Sequence, residues 1–257
     1  MTRTTRILCS LLVALAIASP AVAQPGSLKL PPYKKVVLRN GMTLLLMEQR
    51  EVPLVSFSAL VKAGSVSDPA GKEGVASMTA SLLRKGTATR SAGDFSAQLD
   101  FIGGSFGAGA SQDATVISAE FMKKDLAKGL ELVADAMLHP SFPGDEVKKL
   151  AAQRVDGIKS AKDRAAGVMG QYFNAYLYGK HPYGRPTGGD EASVASITRD
   201  DVAKFYEANY TPAGTVMAVV GDFAVAEMEK QLASVFATWP AKPRSATISM
   251  LRSASST

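Results

Sequence analysis

Short apolar runs set off by turn residues open the chain, and apolar residues spaced three and four apart take over further along it. Val36-Val37-Leu38 and Met42 to Met47 flank Asn40-Gly41, the dipeptide that type I′ turns favour, so Lys35 to Glu48 reads as a β-hairpin. Leu54 to Val61 reads as a third strand, followed by Gly64 and a polar loop through Lys72. A helix is expected over roughly Glu73 to Arg84. A second is expected over Ser91 to Ile102, with Ser91 as N-cap and Phe95, Leu99 and Ile102 sharing one face. Gly103-Gly104 ends it, and Ser105 to Ala110 and Ala114 to Met122 read as two strands turning at Gln112-Asp113.

Lys124 to Leu138 carries Leu126, Leu130, Val133 and Met137 at helical spacing, and His139-Pro140 closes that helix. A long helical stretch runs from Asp145 to Tyr178, its pattern interrupted near Gly167 and Gly170. A Gly- and Pro-rich loop follows, His181 to Gly189, and then Thr198 caps a helix with Asp201 at its third position. Thr215 to Val220 is a buried strand and Ala224 to Trp239 the last helix. Antiparallel groups of strands interleaved with helix pairs define an α+β domain: one antiparallel or mixed β-sheet with helices packed on a single face. No tight internal repeat is visible.

Composition changes the picture mainly at the N-terminus. Arg3 and Arg6 precede an apolar run from Ile7 to Ile17, and Ala21-Val22-Ala23 follows. This order reads as a secretory signal peptide over residues 1–23, its apolar run too short to span a bilayer. Residues 24–32 then read as a linker, 33–240 as the folded domain and 241–257 as a disordered polar tail. The expected location is the periplasm or the outside of a bacterial cell, with no transmembrane anchor left after cleavage near Ala23. Cys9, the single cysteine, lies inside the apolar run. The mature chain therefore has no disulfide, no thiolate ligand and no thiol nucleophile. The net charge of +6 is spread among acids, as in Lys123-Lys124-Asp125, so no basic face for nucleic acid is expected.

The candidate chemistry lies in residues 71–87. Gly74-Val75-Ala76 leads into Ser77-Met78-Thr79-Ala80-Ser81, and Lys85-Gly86-Thr87 leads out. This stretch resembles the zinc-site helix of the pitrilysin/insulinase (M16) metallopeptidases, in which H-x-x-E-H lies between the same flanks. Further signatures of that family occur in order: the Asn40-Gly41 hairpin, the Gly64 to Asp68 loop, Gly103-Gly104 into Ser105-Phe106, and His139-Pro140-Ser141-Phe142. Later come His181-Pro182-Tyr183-Gly184, Ile197-Thr198 with Phe205-Tyr206 and Tyr210-Thr211-Pro212, and Val219-Val220-Gly221-Asp222. The resemblance covers about Tyr33 to Trp239 and implies one half-domain of a two-half architecture.

Against that pattern, both zinc histidines are serines, Ser77 and Ser81, and the general-base glutamate is Ala80. The family's third ligand, a glutamate on a later helix, aligns with Gly157; the neighbouring Asp156 points about 100° away on a helix. Zinc needs imidazole, thiolate or carboxylate donors, and its water needs a base. The resemblance thus implies a zinc cofactor whose ligands this chain lacks, so no catalytic residue, no metal ligand and no cofactor are expected. His139 and His181 form no ligand pair, and His139 suits a helix C-terminus. Ser77 and Ser81 share a helix face with no histidine beside them, and bonding to backbone carbonyls is the expectation. Gly103-Gly104-Ser105-Phe106-Gly107 fits the G-x-S-x-G string but runs from a helix into a strand, the reverse of a nucleophile elbow. No S-x-x-K dyad is present, and Gly103-Gly104 with Gly107 and Gly109 lacks the order of a phosphate loop.

The family's mode of substrate binding implies one binding element here. Ser105, Phe106, Gly107 and Ala108 form a small-residue edge strand on which an extended peptide could add by β-augmentation, although a plain edge strand reads equally well. The expected function is a secreted, non-catalytic M16-like subunit that pairs with a zinc-bearing sister subunit and helps enclose peptide substrates. Two alternatives stand beside it: an active zinc metalloendopeptidase with unrecognised ligands, and a truncated remnant of a two-half protein.

Overall fold

The computed structural model describes residues 31–242. The signal-peptide segment 1–23, nearly all of the 24–32 linker and nearly all of the 241–257 tail lie outside the described residues.

Among the described residues, six strands form one mixed sheet: β1 (Lys34–Val37), β2 (Thr43–Glu48), β3 (Leu54–Val61), β4 (Ser105–Ala110), β5 (Thr115–Met122) and β6 (Thr215–Gly221). Their order is β1-β2-β6-β3-β5-β4. The β2–β6 pair is parallel and the other four pairs are antiparallel. The last strand in sequence thus fills the middle, and its Thr-Val-Met-Ala-Val-Val-Gly sequence suits a position paired on both sides.

Register places Leu46, Val219, Phe57, Ala119 and Phe106 side by side across five strands, all buried. One residue along, Leu45, Ala218, Ser58, Ser118 and Gly107 make the corresponding row on the opposite face, which is half-buried to exposed. Period-two alternation therefore gives the sheet one core face and one open face, and the helices cover the first.

The expected hairpin is present, with a different turn. Leu38 N–H donates to the Met42 carbonyl at 2.8 Å and Gly41 N–H to the Leu38 carbonyl at 2.9 Å. Gly41 has φ 92°, whereas Asn40 does not have a positive φ. A type I′ turn needs positive φ at both, so this is a type I turn closed by a left-handed glycine. Asn40 is held instead by donating to the carbonyls of Phe236 and Trp239, at 2.8 and 3.3 Å.

The helices of the described chain are α1 (Val75–Leu82), α2 (Ala92–Phe101), α3 (Leu126–Leu138), α4 (Gly144–Lys162), α5 (Ala165–Tyr178), α6 (Glu191–Ser196), α7 (Arg199–Asn209) and α8 (Val225–Phe236). The long stretch expected from Asp145 to Tyr178 is two helices, broken at Asp163-Arg164 and not at its glycines. Gly167 serves close packing instead. A Cβ there would lie 2.7 Å from the Ala161 carbonyl, so glycine lets α5 fold back against the end of α4. The apolar pattern does not predict the short helix α6, which Asp190 caps through a reciprocal box with Ser193. The expected Thr198 cap is a complete box with Asp201. Helix α1 packs on β4 and β5 and is flanked by α4 and α7, which puts it at the centre of the helical layer.

Candidate site on the motif helix

Two buried acids fix the ends of α1. Asp68, after the Gly64 loop, accepts from Gly74 N–H at 2.7 Å and Ala76 N–H at 2.9 Å, satisfying first-turn donors that the helix cannot satisfy itself. Burial pushes its carboxyl up to about 6, against the pull of those two N–H groups and of Arg185. At the exit, Asp135 on α3 accepts from Thr87 Oγ1 at 2.6 Å, Thr89 Oγ1 at 2.9 Å and Arg90 Nη1 at 2.5 Å. Burial opposes ionisation of Asp135, but these bonds outweigh it and hold the carboxyl below its usual value. Arg90 also pairs with Glu131. The Lys85-Gly86-Thr87 exit is thereby tied to α3.

Between these anchors Val75, Ala76, Met78, Thr79, Ala80 and Leu82 are buried. Ser77 and Ser81, one turn apart, face α4 and are half-buried. Ser81 Oγ donates to the Ser77 carbonyl at 3.0 Å, as expected for a helical serine. Sequence reasoning missed their partner. Arg154 of α4 donates from Nη1 to Ser77 Oγ at 2.8 Å, and from Nη2 to Ser81 Oγ at 2.8 Å and to the Ser77 carbonyl at 3.1 Å. Its guanidinium bridges both serines.

A signal for Arg154 was present in the spacing. Val147 and Ala151 are the buried residues of α4, and Arg154 follows at the next step of that stripe, ahead of Ile158. A charge in an apolar stripe needs a partner. Here the partners are neutral oxygens only, with no carboxylate within ion-pair distance among the described residues. Burial lowers the arginine's pKa, and no neighbouring charge offsets the effect.

The residues present do not suit a zinc ion. Ser77 and Ser81 offer uncharged hydroxyls, Ala80 a buried methyl, and Gly157 no side chain. An ion shared by positions 77 and 81 would also have to displace a guanidinium already bound to both, and the two cations repel. Among the described residues no three His, Cys, Asp or Glu side chains gather into a metal-binding group. His139 is the C-cap of α3, with Nδ1 3.6 Å from Asp135 Oδ1. His181 caps a short 3₁₀ turn, Pro182–Gly184, accepting Tyr183 N–H at 3.2 Å and packing against the rings of Tyr178 and Tyr183.

The edge-strand residues divide by side of the sheet. Phe106 is buried, its ring edge-on to Phe95 at 5.5 Å, so its side chain belongs to the core. Ala108, half-buried, shares that core side, whereas Ser105, exposed, and Gly107, half-buried, lie on the open face of β4, which among the described strands pairs only with β5. Arg84, just beyond α1, donates to the Phe106 carbonyl at 3.3 Å.

A family model described as Insulinase (Peptidase family M16) matches residues 44–191, more than half of the chain. The chain belongs to the M16 peptidase family. A second model, the Peptidase M16 inactive domain, matches residues 196–254. An uncharacterized zinc protease of Mycobacterium leprae is 31% identical to this M16 chain over 194 residues, covering 76% of it and 44% of the relative. Among solved structures, the peptidase M16 inactive domain from Pseudomonas fluorescens superposes with a TM-score of 0.79 at 28% identity, covering 84% of this chain and 52% of that one. The periplasmic protease PqqL of Escherichia coli shares the fold, with a TM-score of 0.75 at 19% identity over 83% of this chain and 24% of its own. The chain spans about half the length of the curated relatives it matches.

Proposed function

We propose that this M16 chain is a non-catalytic subunit that pairs with a zinc-bearing M16 partner and helps enclose peptide substrates. The observation that carries this reading is the Arg154 guanidinium bridging Ser77 and Ser81, the two positions at which the resemblance expects zinc-binding histidines. Hydrolysis by a metal-bound water requires an ion and a base, and this helix face supplies a fixed organic cation and a methyl group. The names of the zinc-protease relatives speak to ancestry, because the chemistry they imply depends on side chains replaced here.

Pairing is supported by α5. Met169, Phe173 and Leu177 are each more than half exposed, Tyr172 is 70% exposed and Tyr176 90%. A helix this apolar and this uncovered is rare on a solitary domain and common at an interface. Relatives about twice as long supply a candidate for what covers it: a second M16 half. Export is supported by the N-terminal pattern and by the periplasmic neighbour PqqL, and no helix among the described residues is long and apolar enough to cross a membrane.

The test is direct. Purified chain, incubated with zinc and dialysed, is expected to retain well under one equivalent of metal and to leave unstructured peptides uncut. Adding a zinc-bearing M16 protein from the same cell is expected to yield a stable complex that cuts them. Chelator-sensitive cleavage by the chain alone would overturn the reading.

A further inference from the structure

Beside Arg154, α4 and α5 line a cavity of about 390 Å³ that is open to solvent, with Gly188 at its edge. No acidic side chain lines it; Arg154, Lys162, Gln153 and Gln171 do, together with the apolar Ile158 and Val168. Arg154 makes three hydrogen bonds, all on its two terminal nitrogens and all to uncharged oxygens, so its Nε–H and one Nη1–H have no protein acceptor among the described residues. Lys162 is paired with Glu191 at 3.0 Å, outside the lining, so Arg154 is the charge of this wall that has no counter-charge among the described residues.

A guanidinium fixed in position, with one N–H on Nε and one on Nη1 left without a protein acceptor and no acidic group in the cavity wall, is matched by a carboxylate oxygen, which forms a short charge-assisted hydrogen bond with either of them. We propose that this cavity is a carboxylate-binding site in which Arg154, oriented by Ser77 and Ser81, grips a carboxyl group of a bound peptide while Ile158 and Val168 contact an adjacent apolar side chain. The proposal rests on the reading of the chain as a peptide-enclosing subunit for the class of ligand. The site itself requires no partner. Replacement of the metal ligands has in this view exchanged one cation for another, and with it a reactive centre for a holding one.

The experiment is a calorimetric titration of the full chain with a leucine-terminated hexapeptide in three forms: free acid, C-terminal amide, and amide with an internal glutamate. The free acid is expected to bind about tenfold more tightly than the plain amide. That gap should close in Arg154→Gln and narrow by a smaller factor in Lys162→Met. Recovery of affinity in the glutamate amide would support the site and assign the carboxylate to an acidic side chain; no recovery would support it and assign the C-terminus. Equal affinity of all three peptides for the unmodified chain would overturn the proposal without any variant, as would an unchanged gap in folded Arg154→Gln. Pairing is read separately by complex formation, so either reading can fail alone.

Discussion

Helices α1 and α5 are both short and both rich in small or apolar residues, yet the fold treats them in opposite ways. Helix α1 is buried on the sheet, capped by Asp68, tied at its exit to Asp135 and bridged by Arg154. Among the described side chains of α5, only Val168 and Asn174 are half-buried, and the helix holds an aromatic face toward solvent. In α1 both serines are answered by a neighbour within hydrogen-bond reach. In α5 Tyr178 packs on His181 and Tyr183, but Met169, Tyr172, Phe173, Tyr176 and Leu177 stay more than half exposed. A substitution near α1 should therefore be felt in stability, and one on α5 only in association.

The largest effect is expected at the α1 exit. Asp135→Ala leaves the well-buried Arg90 without its inner carboxylate and should cost about 3–5 kcal/mol by denaturant unfolding. A loss below about 1 kcal/mol would show that the exit anchor is not what holds α1 in place.

Next comes the entry. The folded-state pKa of Asp68 lies near 6, above its ordinary 3.8, so the folded form holds its proton more tightly than the unfolded form. The associated stability is complete below about pH 4 and is lost as pH rises through about 6, a change on the order of 3 kcal/mol. Asp68→Asn should flatten that part of the pH profile while sacrificing one of the two N–H contacts. A profile unchanged by the substitution would assign the dependence to other groups.

Smaller still is the effect of Arg154→Met. Removing a half-buried charge with no carboxylate partner, while Ser81 keeps its bond to the Ser77 carbonyl, should raise stability by ~1 kcal/mol. A large loss would mean that the guanidinium is a structural clamp before it is anything else. Smallest is Tyr176→Glu on α5, expected to shift the isolated chain by under about 0.5 kcal/mol. The same change should abolish complex formation with a zinc-bearing partner, and a complex that survives it would move the interface elsewhere.

Much of this architecture can be read locally. Strands β3 and β4 begin and end where their sequences suggest, and the caps at Ser91 and Thr198 lie at their expected residues. What escaped detection was set by distant neighbours. The break at Asp163-Arg164 carries no glycine or proline to mark it, and Gly167 serves close approach to Ala161 across the break. Helix α6 has only six residues, too few for a periodic signal. The altered motif at 77–81 was legible from its flanks and its lost donors, but Arg154 lies 73 residues beyond Ser81, and only folding brings the two together.

The central position of β6 carries a consequence for biosynthesis. Without it, the sheet falls into a β1-β2 ribbon and a separate β3-β5-β4 piece, each with a raw backbone edge where Thr215–Gly221 should lie. A nascent chain must hold these pieces apart, and shielded from other chains, for more than 150 residues of synthesis after β3. Release from the ribosome before Gly221 would yield a sticky, two-part polypeptide, making it a natural client for chaperones.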